Sequence, residues 1–317
     1  MPLEFGRNAF VNISSNTESS YGDETGLTFD VYNKIFSCTL KRVEERVQTT
    51  VLTTTDGGFA RGQFKVNTTA TGTVEVPLMY EGVGVWLKYA LGSASTAAGG
   101  PPYVHSYLAD TTDLPTFGIK FQRGSGAVEQ FKGCMVSSMT ISCNAGEEAK
   151  LSCDIIAQTS KTRDPAGITA TYGDGEQVYH FESHTMAYGG NSYQMYNFSM
   201  TINNSLETRY VLGSTLTASP DVNDIRSVEV EVTCGLEDQN IYNDHLNGTA
   251  STLEIKFQSG ADEFKIEVFN AVVVAYDDSV SSVGRLERTF TIKGFSSPTT
   301  EAVKITVTNQ DASNVGN

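Results

Sequence analysis

His180-Phe-Glu-Ser-His184 sets two imidazoles and a carboxylate at alternate positions, so an extended strand would carry all three on one face. Zinc asks for a third or fourth protein ligand already in place, and neither Asp174 nor Glu176 sits at a spacing that supplies it. The stretch reads as solvent-facing polar positions on an alternating strand, and no metal is assigned to it. His105 and His245 stand alone. Three carboxylate pairs, Asp23-Glu24, Glu237-Asp238 and Asp277-Asp278, have the residue types that glycoside hydrolysis uses. In a chain of net charge -15 such pairs also arise as loop solvation and as charges near helix N-termini. No Gly-x-Ser-x-Gly elbow, phosphate loop, dinucleotide fingerprint or calcium loop occurs. The chain is therefore expected to be neither an enzyme nor a cofactor binder. Tyr188-Gly-Gly-Asn-Ser-Tyr193 is an aromatic loop that could stack on sugars, which makes a soluble all-β carbohydrate-binding module or adhesin the competing reading.

The elements that would position these residues are organised around a repeat. Phe117-Gly-Ile-Lys-Phe-Gln-Arg-Gly-Ser-Gly126 returns 136 residues later as Leu253-Glu-Ile-Lys-Phe-Gln-Ser-Gly-Ala-Asp262. Ile119, Phe121, Ile255 and Phe257 are the inward positions of the two alternating strands. Each copy follows a helix-like stretch closed by a small Gly motif, Ala90-Leu-Gly-Ser93 or Leu246-Asn-Gly-Thr249, and precedes a strand centred on Phe131 or Phe269. A period of this length belongs to a whole domain and not to a solenoid unit. The reading is mainly β: two tandem antiparallel β-sandwich or barrel domains, 1–165 and 166–317, each with one short flanking α-helix.

In chain order, residues 9–15 form a strand, and residues 27–55 are read as strand despite a helical spacing of Val43, Val47 and Val51. Asp56-Gly-Gly58 marks a turn, with residues 63–69 as the returning strand. Glu75–Ser93 is the strongest helix candidate, with Pro77 in its first turn and Gly92 as its stop. Leu78, Val83, Trp86, Leu87 and Leu91 line its apolar face, and Trp86 anchors it on a sheet. Ser93–Pro102 is low in complexity, and residues 159–175 are read as the linker. A shorter helix, Leu236–Leu246, precedes the second repeat strand.

Residues 1–165 carry 17 acidic and 14 basic side chains, and residues 166–317 carry 20 and 8. That balance argues against a grip on nucleic-acid phosphates, which needs Lys and Arg to displace condensed counterions, and fits a solvated acidic surface that aids solubility. Cys38, Cys134, Cys143, Cys153 and Cys234 are odd in number and form no CxxC pair, so reduced thiols and synthesis in a cytosol are expected. No signal peptide is expected from Met1-Pro-Leu-Glu-Phe-Gly-Arg7, and no apolar run is long enough to span a bilayer.

The order of motifs resembles the tail tube proteins of long-tailed bacteriophages, in their two-domain form. A helix ending Ala90-Leu-Gly92 precedes Leu114-Pro-Thr-Phe117, then Phe131-Lys-Gly-Cys134 and the turn Asn144-Ala-Gly146. The second half, from Ser199-Met-Thr-Ile-Asn203 to Leu253-Glu-Ile-Lys-Phe257, is similar to the C-terminal part of such members. The linker departs from the pattern, and the second helix is shorter and more polar than the first. The resemblance implies rings that stack into a tube. Six domains around the channel, two from each chain, would make the ring a trimer with pseudo-sixfold symmetry. It further implies acidic walls past which genome DNA slides unbound, and a place in the virion tail after assembly in the host cytoplasm. Its partners would be a terminator, distal tail or baseplate proteins, and a tape measure. Asp56, Gly57, Gly58, Phe59 and Arg61, together with Ser93, Gly99, Gly100 and Pro101, are the expected contacts between stacked rings.

Overall fold

The computed structural model describes residues 6–48, 62–109, 114–124, 126–172, 177–280 and 284–314. After a 3₁₀ turn at Gly6–Asn8 come β1 (Phe10–Ser14), β2 (Phe29–Lys34), β3 (Ser37–Cys38), β4 (Lys41–Gln48) and the long β5 (Gln63–Pro77). Helix α1 (Gly84–Leu91) runs straight into β6 (Gly92–Thr96), which returns as β7 (Tyr103–Ala109). Strands β8 (Phe117–Arg123), β9 (Ala127–Asn144), β10 (Lys150–Ala157) and β11 (Thr159–Ser160) follow. The second half begins with a 3₁₀ turn at Phe181–Ser183 and continues through β12 (His184–Tyr188), β13 (Asn191–Tyr193), β14 (Met195–Asn203), β15 (Leu206–Tyr210), β16 (Thr217–Val222) and β17 (Ser227–Gly235). Helix α2 (Asn240–Asn247), β18 (Ser251–Ser259), β19 (Asp262–Asp277), β20 (Glu287–Gly294) and β21 (Val303–Asn309) complete it.

The fold is mainly β and antiparallel throughout its ladders. A central sheet runs β4-β5-β10-β9-β14-β17-β20-β19, with β3 on β5 beside β4. One flanking sheet runs β2-β1-β8-β9-β11, and the other β13-β12-β18-β19-β21-β7-β6. Strands β9 and β19 are long because each serves two sheets: the first part pairs in a flanking sheet and the last part in the central one. Each bends at a residue with left-handed backbone, Gly133 (φ 64) in β9 and Asn270 (φ 47) in β19. At Gly133 a side chain is also excluded by space, since a Cβ there would lie 2.9 Å from both Gln158 Cβ and the Tyr21 ring.

Period-2 sequence makes the central sheet. In β17 Val228, Val230, Val232 and Cys234 are buried, while Ser227, Glu229 and Glu231 are exposed. The buried face meets the flanking sheets and α1 in one continuous core, which includes Phe198 against Phe257 at 5.8 Å and Tyr179 against Phe264 at 6.0 Å. Each aliphatic side chain so buried contributes about 1.5–3 kcal/mol.

The helix expected over Glu75–Ser93 is corrected to Gly84–Leu91. Val74 and Val76 alternate with Thr73 and Glu75, and Val76 pairs with Leu151 of β10. Pro77, read as a helix start, is the last residue of β5, where its missing N–H disturbs the ladder least. The Ser93–Pro102 stretch starts as strand and ends as the tip of a hairpin: Ser93 pairs with Leu108, residues 97–102 make the connection, and β7 goes on to pair with β21 from the far end of the chain.

Candidate functional site

The residues with chemical potential are dispersed. His180 and His184 flank the 3₁₀ turn instead of sharing a strand face, a correction that follows from Phe181–Ser183 being helical. The Nδ1 of His184 bonds the Phe181 carbonyl, and its ring lies 6.4 Å from Phe257. Asp23 accepts from Ser19 and the Thr25 N–H, Glu24 pairs with Lys161, Asp238 accepts from Tyr193 and Arg288, and Asp277 accepts from the Ser279 N–H. At least one carboxylate of each pair is thus tied to a turn or strand partner. Among the described residues no group of three or more His, Cys, Asp or Glu could hold a metal. All five cysteines are free thiols. Tyr188 and Tyr193 are 1% and 6% exposed, so the rings that would have stacked on a sugar are turned inward.

Of the expected contact residues, Asp56, Gly57, Gly58, Phe59 and Arg61 lie outside the described residues. Gly99, Gly100 and Pro101 occupy the exposed tip between β6 and β7, while Ser93 lies at the start of β6. Leu78, Val83, Trp86, Leu87 and Leu91 are all buried around α1. Trp86 Nε1 donates to Asn33 Oδ1 of β2 at 2.7 Å, and Tyr89 stacks on Phe117 at 4.0 Å. Ile119 and Phe121 are buried in β8, and Ile255 and Phe257 in β18.

The surface that stands out is the other face of the central sheet. It is carpeted with short polar side chains: Thr69, Thr71 and Thr73 on β5, Ser138, Thr140 and Ser142 on β9, Asn197, Ser199 and Thr201 on β14, and Thr289 and Thr291 on β20. Neighbouring strands bond laterally across it. Asp154 accepts from Thr73 at 2.6 Å and Ser138 at 2.7 Å, while Thr140 meets Thr201, and Thr233 meets Thr289, at 3.0 Å. Side chains held down in this way leave the charged residues as the long groups on this face. Its acids are Glu45, Glu75, Asp154, Glu229, Glu231, Asp277 and Glu287, against Lys41, Lys150 and Lys293. Two of those lysines are already neutralised, Lys293 by Glu229 at 3.2 Å and Lys150 by Glu147 at 3.3 Å.

The wall ends in two open edges. Among the described residues strand β4 pairs with β5 alone, and every one of its residues is exposed. Lys65, Arg46 and Arg42 surround Glu44 on the opposite side of β4 from Lys41, and hold its carboxyl down to about 2. At the far end, the last part of β19 pairs, among the described residues, with β20 only, and Val274 is 43% exposed. Unpaired edges of this length invite another strand.

Sequence reasoning missed the joint between β9 and β14, which welds the halves into one sheet, because pairing of residues 138–144 with 197–203 leaves no local trace. The carpet did have a signal, since Ser138-x-Thr140-x-Ser142 and Asn197-x-Ser199-x-Thr201 alternate as plainly as any strand.

A mainly β chain with a bare, acid-rich polar sheet face and two open edges has the build of a self-assembling structural protein. Residues 6–310 match the family model described as phage tail tube protein, and the chain belongs to that family. It is a structural protein of the phage tail, as the resemblance implied. A search of curated proteins finds no match.

Proposed function

We propose that the chain polymerises as stacked rings whose joined central sheets line the tail channel. Two diverged copies of one tube domain, 1–165 and 166–317, sit in each chain, so three chains complete a pseudo-sixfold ring. The uncovered face of the central sheet is the lumen wall. The observation that carries this reading is the carpet itself, broad, flat, short in side chain and acidic, and bounded on both sides by strands lacking a partner. A negative wall repels phosphates, and several of its hydroxyls are already bonded to one another or to Asp154, so genome DNA passes without being held. Ring closure satisfies both open edges at once. The β6–β7 tip with Gly99, Gly100 and Pro101, and the Asp56–Arg61 segment, make the contacts between stacked rings. The terminator, the distal tail or baseplate, and the tape measure are the further partners. No membrane takes part, and among the described residues no helix is long and apolar enough to cross one.

Electron microscopy of the purified protein at rising concentration, with light scattering for mass, tests this reading. Hollow rings or tubes with a three-chain repeat are expected. Compact monomers at every concentration, with or without tail-tip proteins added as initiator, would overturn it.

A further inference from the structure

The two open edges correspond, position by position, to the two strands that already meet inside the chain. In the internal joint, Asn197, Phe198, Ser199, Met200, Thr201, Ile202 and Asn203 of β14 face Asn144, Cys143, Ser142, Ile141, Thr140, Met139 and Ser138 of β9. The end of β9 matches the end of β19. Both lie beyond a left-handed residue, Gly133 or Asn270, and both are crossed at the bend by the same backbone bond, Gln158 N to Lys132 O or Phe295 N to Phe269 O. Both also skip one residue in their next ladder, Ser137 against β10 and Val274 against β20. Ser138, Met139 and Thr140 are therefore equivalent to Ala275, Tyr276 and Asp277.

The partner edge is matched through its own neighbours. Ile155 of β10 faces Gly72, and Ile292 of β20 faces Val230, which aligns β5 with β17. Lys41 faces Thr71 on β5 as Thr201 faces Glu229 on β17. Lys41, Arg42 and Val43 are then equivalent to Thr201, Ile202 and Asn203.

Resting on the ring reading, we propose that chains join by antiparallel pairing of β4 on one chain with the end of β19 on the next, in the register that sets Lys41 opposite Asp277, Arg42 opposite Tyr276 and Val43 opposite Ala275. Where the internal joint has Thr140 against Thr201 on the uncovered face, the joint between chains has a carboxylate against an ammonium. Lys41 forms no ion pair among the described residues, and the Asp277 carboxylate accepts from Ser279 alone, with no cation of its own chain paired to it among the described residues. A one-residue slip would invert which side chains reach the lumen, and a two-residue slip would separate the charges. An opposite-charge pair at the joint between chains, and a neutral one inside the chain, also keeps the two joints from exchanging partners.

Charge reversal and crosslinking test the register. Lys41→Asp or Asp277→Lys alone sets like charges opposite each other at all three joints, and ring yield should fall about tenfold or more; the double variant Lys41→Asp/Asp277→Lys should recover it. In a Cys38→Ser background, Val43→Cys/Ala275→Cys should give disulfide-linked trimers on oxidation of assembled rings, and Val43→Cys/Asp277→Cys should give few. Rings that assemble but crosslink through 277 in preference to 275, or are indifferent to both charge reversals, would overturn the register while leaving the tube intact. Native protein that forms no ring would overturn the ring reading and this proposal together.

Discussion

Helices α1 and α2 occupy the same place in the two halves, between the central-sheet strands β5 or β17 and the repeat strands β8 or β18, yet their surroundings differ. Every residue of α1 except Lys88 is buried, while in α2 only Ile241 is. The difference is made by chain from the other half. Asn204, just past β14, donates to the carbonyls of Ala90 and Val136, and Arg226 donates to those of Ala90 and Leu91, so the open end of α1 is closed by the internal joint. The β6–β7 hairpin, which has no counterpart after α2, shields the same helix. At α2 the His245 ring bonds the Val273 carbonyl in place of Asn204, and Leu246 is 63% exposed. A helix in this fold is therefore covered when a joint forms beside it, and the bare α2 marks the side on which the ring reading seats the next chain.

Substitutions along that comparison should rank by how enclosed each residue is. Trp86→Ala removes the largest buried side chain and strands Asn33 Oδ1, so unfolding in denaturant should show a loss of about 3–5 kcal/mol. Leu246→Ala on α2 should cost under about 1 kcal/mol in the monomer and show its effect in ring assembly instead. Asn204→Ala removes the side-chain donor to the Val136 carbonyl and leaves the Ala90 carbonyl to Arg226, and should cost about 1–3 kcal/mol. His245→Ala removes a single such bond, to the Val273 carbonyl, and should cost less.

The two strand bends make a finer contrast. Gly133→Ala meets both a left-handed backbone and two close neighbours, and should destabilise by about 2 kcal/mol or more. Asn270→Gly keeps the conformation and loses only the side-chain bond to the Phe295 carbonyl, so a shift below about 1 kcal/mol is expected. The first bend is held from outside as well, because Glu18 accepts from the Gly133 and Gly22 N–H groups; its burial pushes its carboxyl above the ordinary value.

The smallest effect concerns acid. Burial alone would raise the Glu129 carboxyl, but bonds from Ser160 and Arg163 and the Arg123 guanidinium outweigh it and hold it below the ordinary value. Its folded value being the lower one, its stabilisation is complete above about pH 4.5 and fades as pH falls through the folded value. Glu129→Gln should therefore be clearly less stable than the native chain at pH 7, and the gap should narrow by pH 3.

Much of this was legible from residue order. The repeat strands at Ile119 and Ile255, the β reading of residues 27–48 and the free cysteines follow from period-2 patterning and composition. The first helix was overextended because Leu78, Val83, Trp86, Leu87 and Leu91 give a broad apolar face at helical spacing, and only the ladders to β10 and β3 decide that Glu75–Pro77 is strand. Ser93–Pro102 looked loose for its small residues, yet Ala94 and Thr96 sit in a hairpin that β21 orders from 200 residues away in sequence. The uncovered polar wall was written in alternating Ser and Thr, but its breadth depends on the β9–β14 joint, and long-range pairing of that kind has no signature in either strand alone.

A near-atomic electron cryomicroscopy map of the assembled protein tests the central claim most directly. The account predicts a closed barrel around the lumen with Thr140, Thr201, Glu229 and Glu231 facing the channel and β4 of each chain hydrogen-bonded to β19 of the next. A lumen lined by either flanking sheet, or rings joined without β4 and β19 meeting, would contradict it.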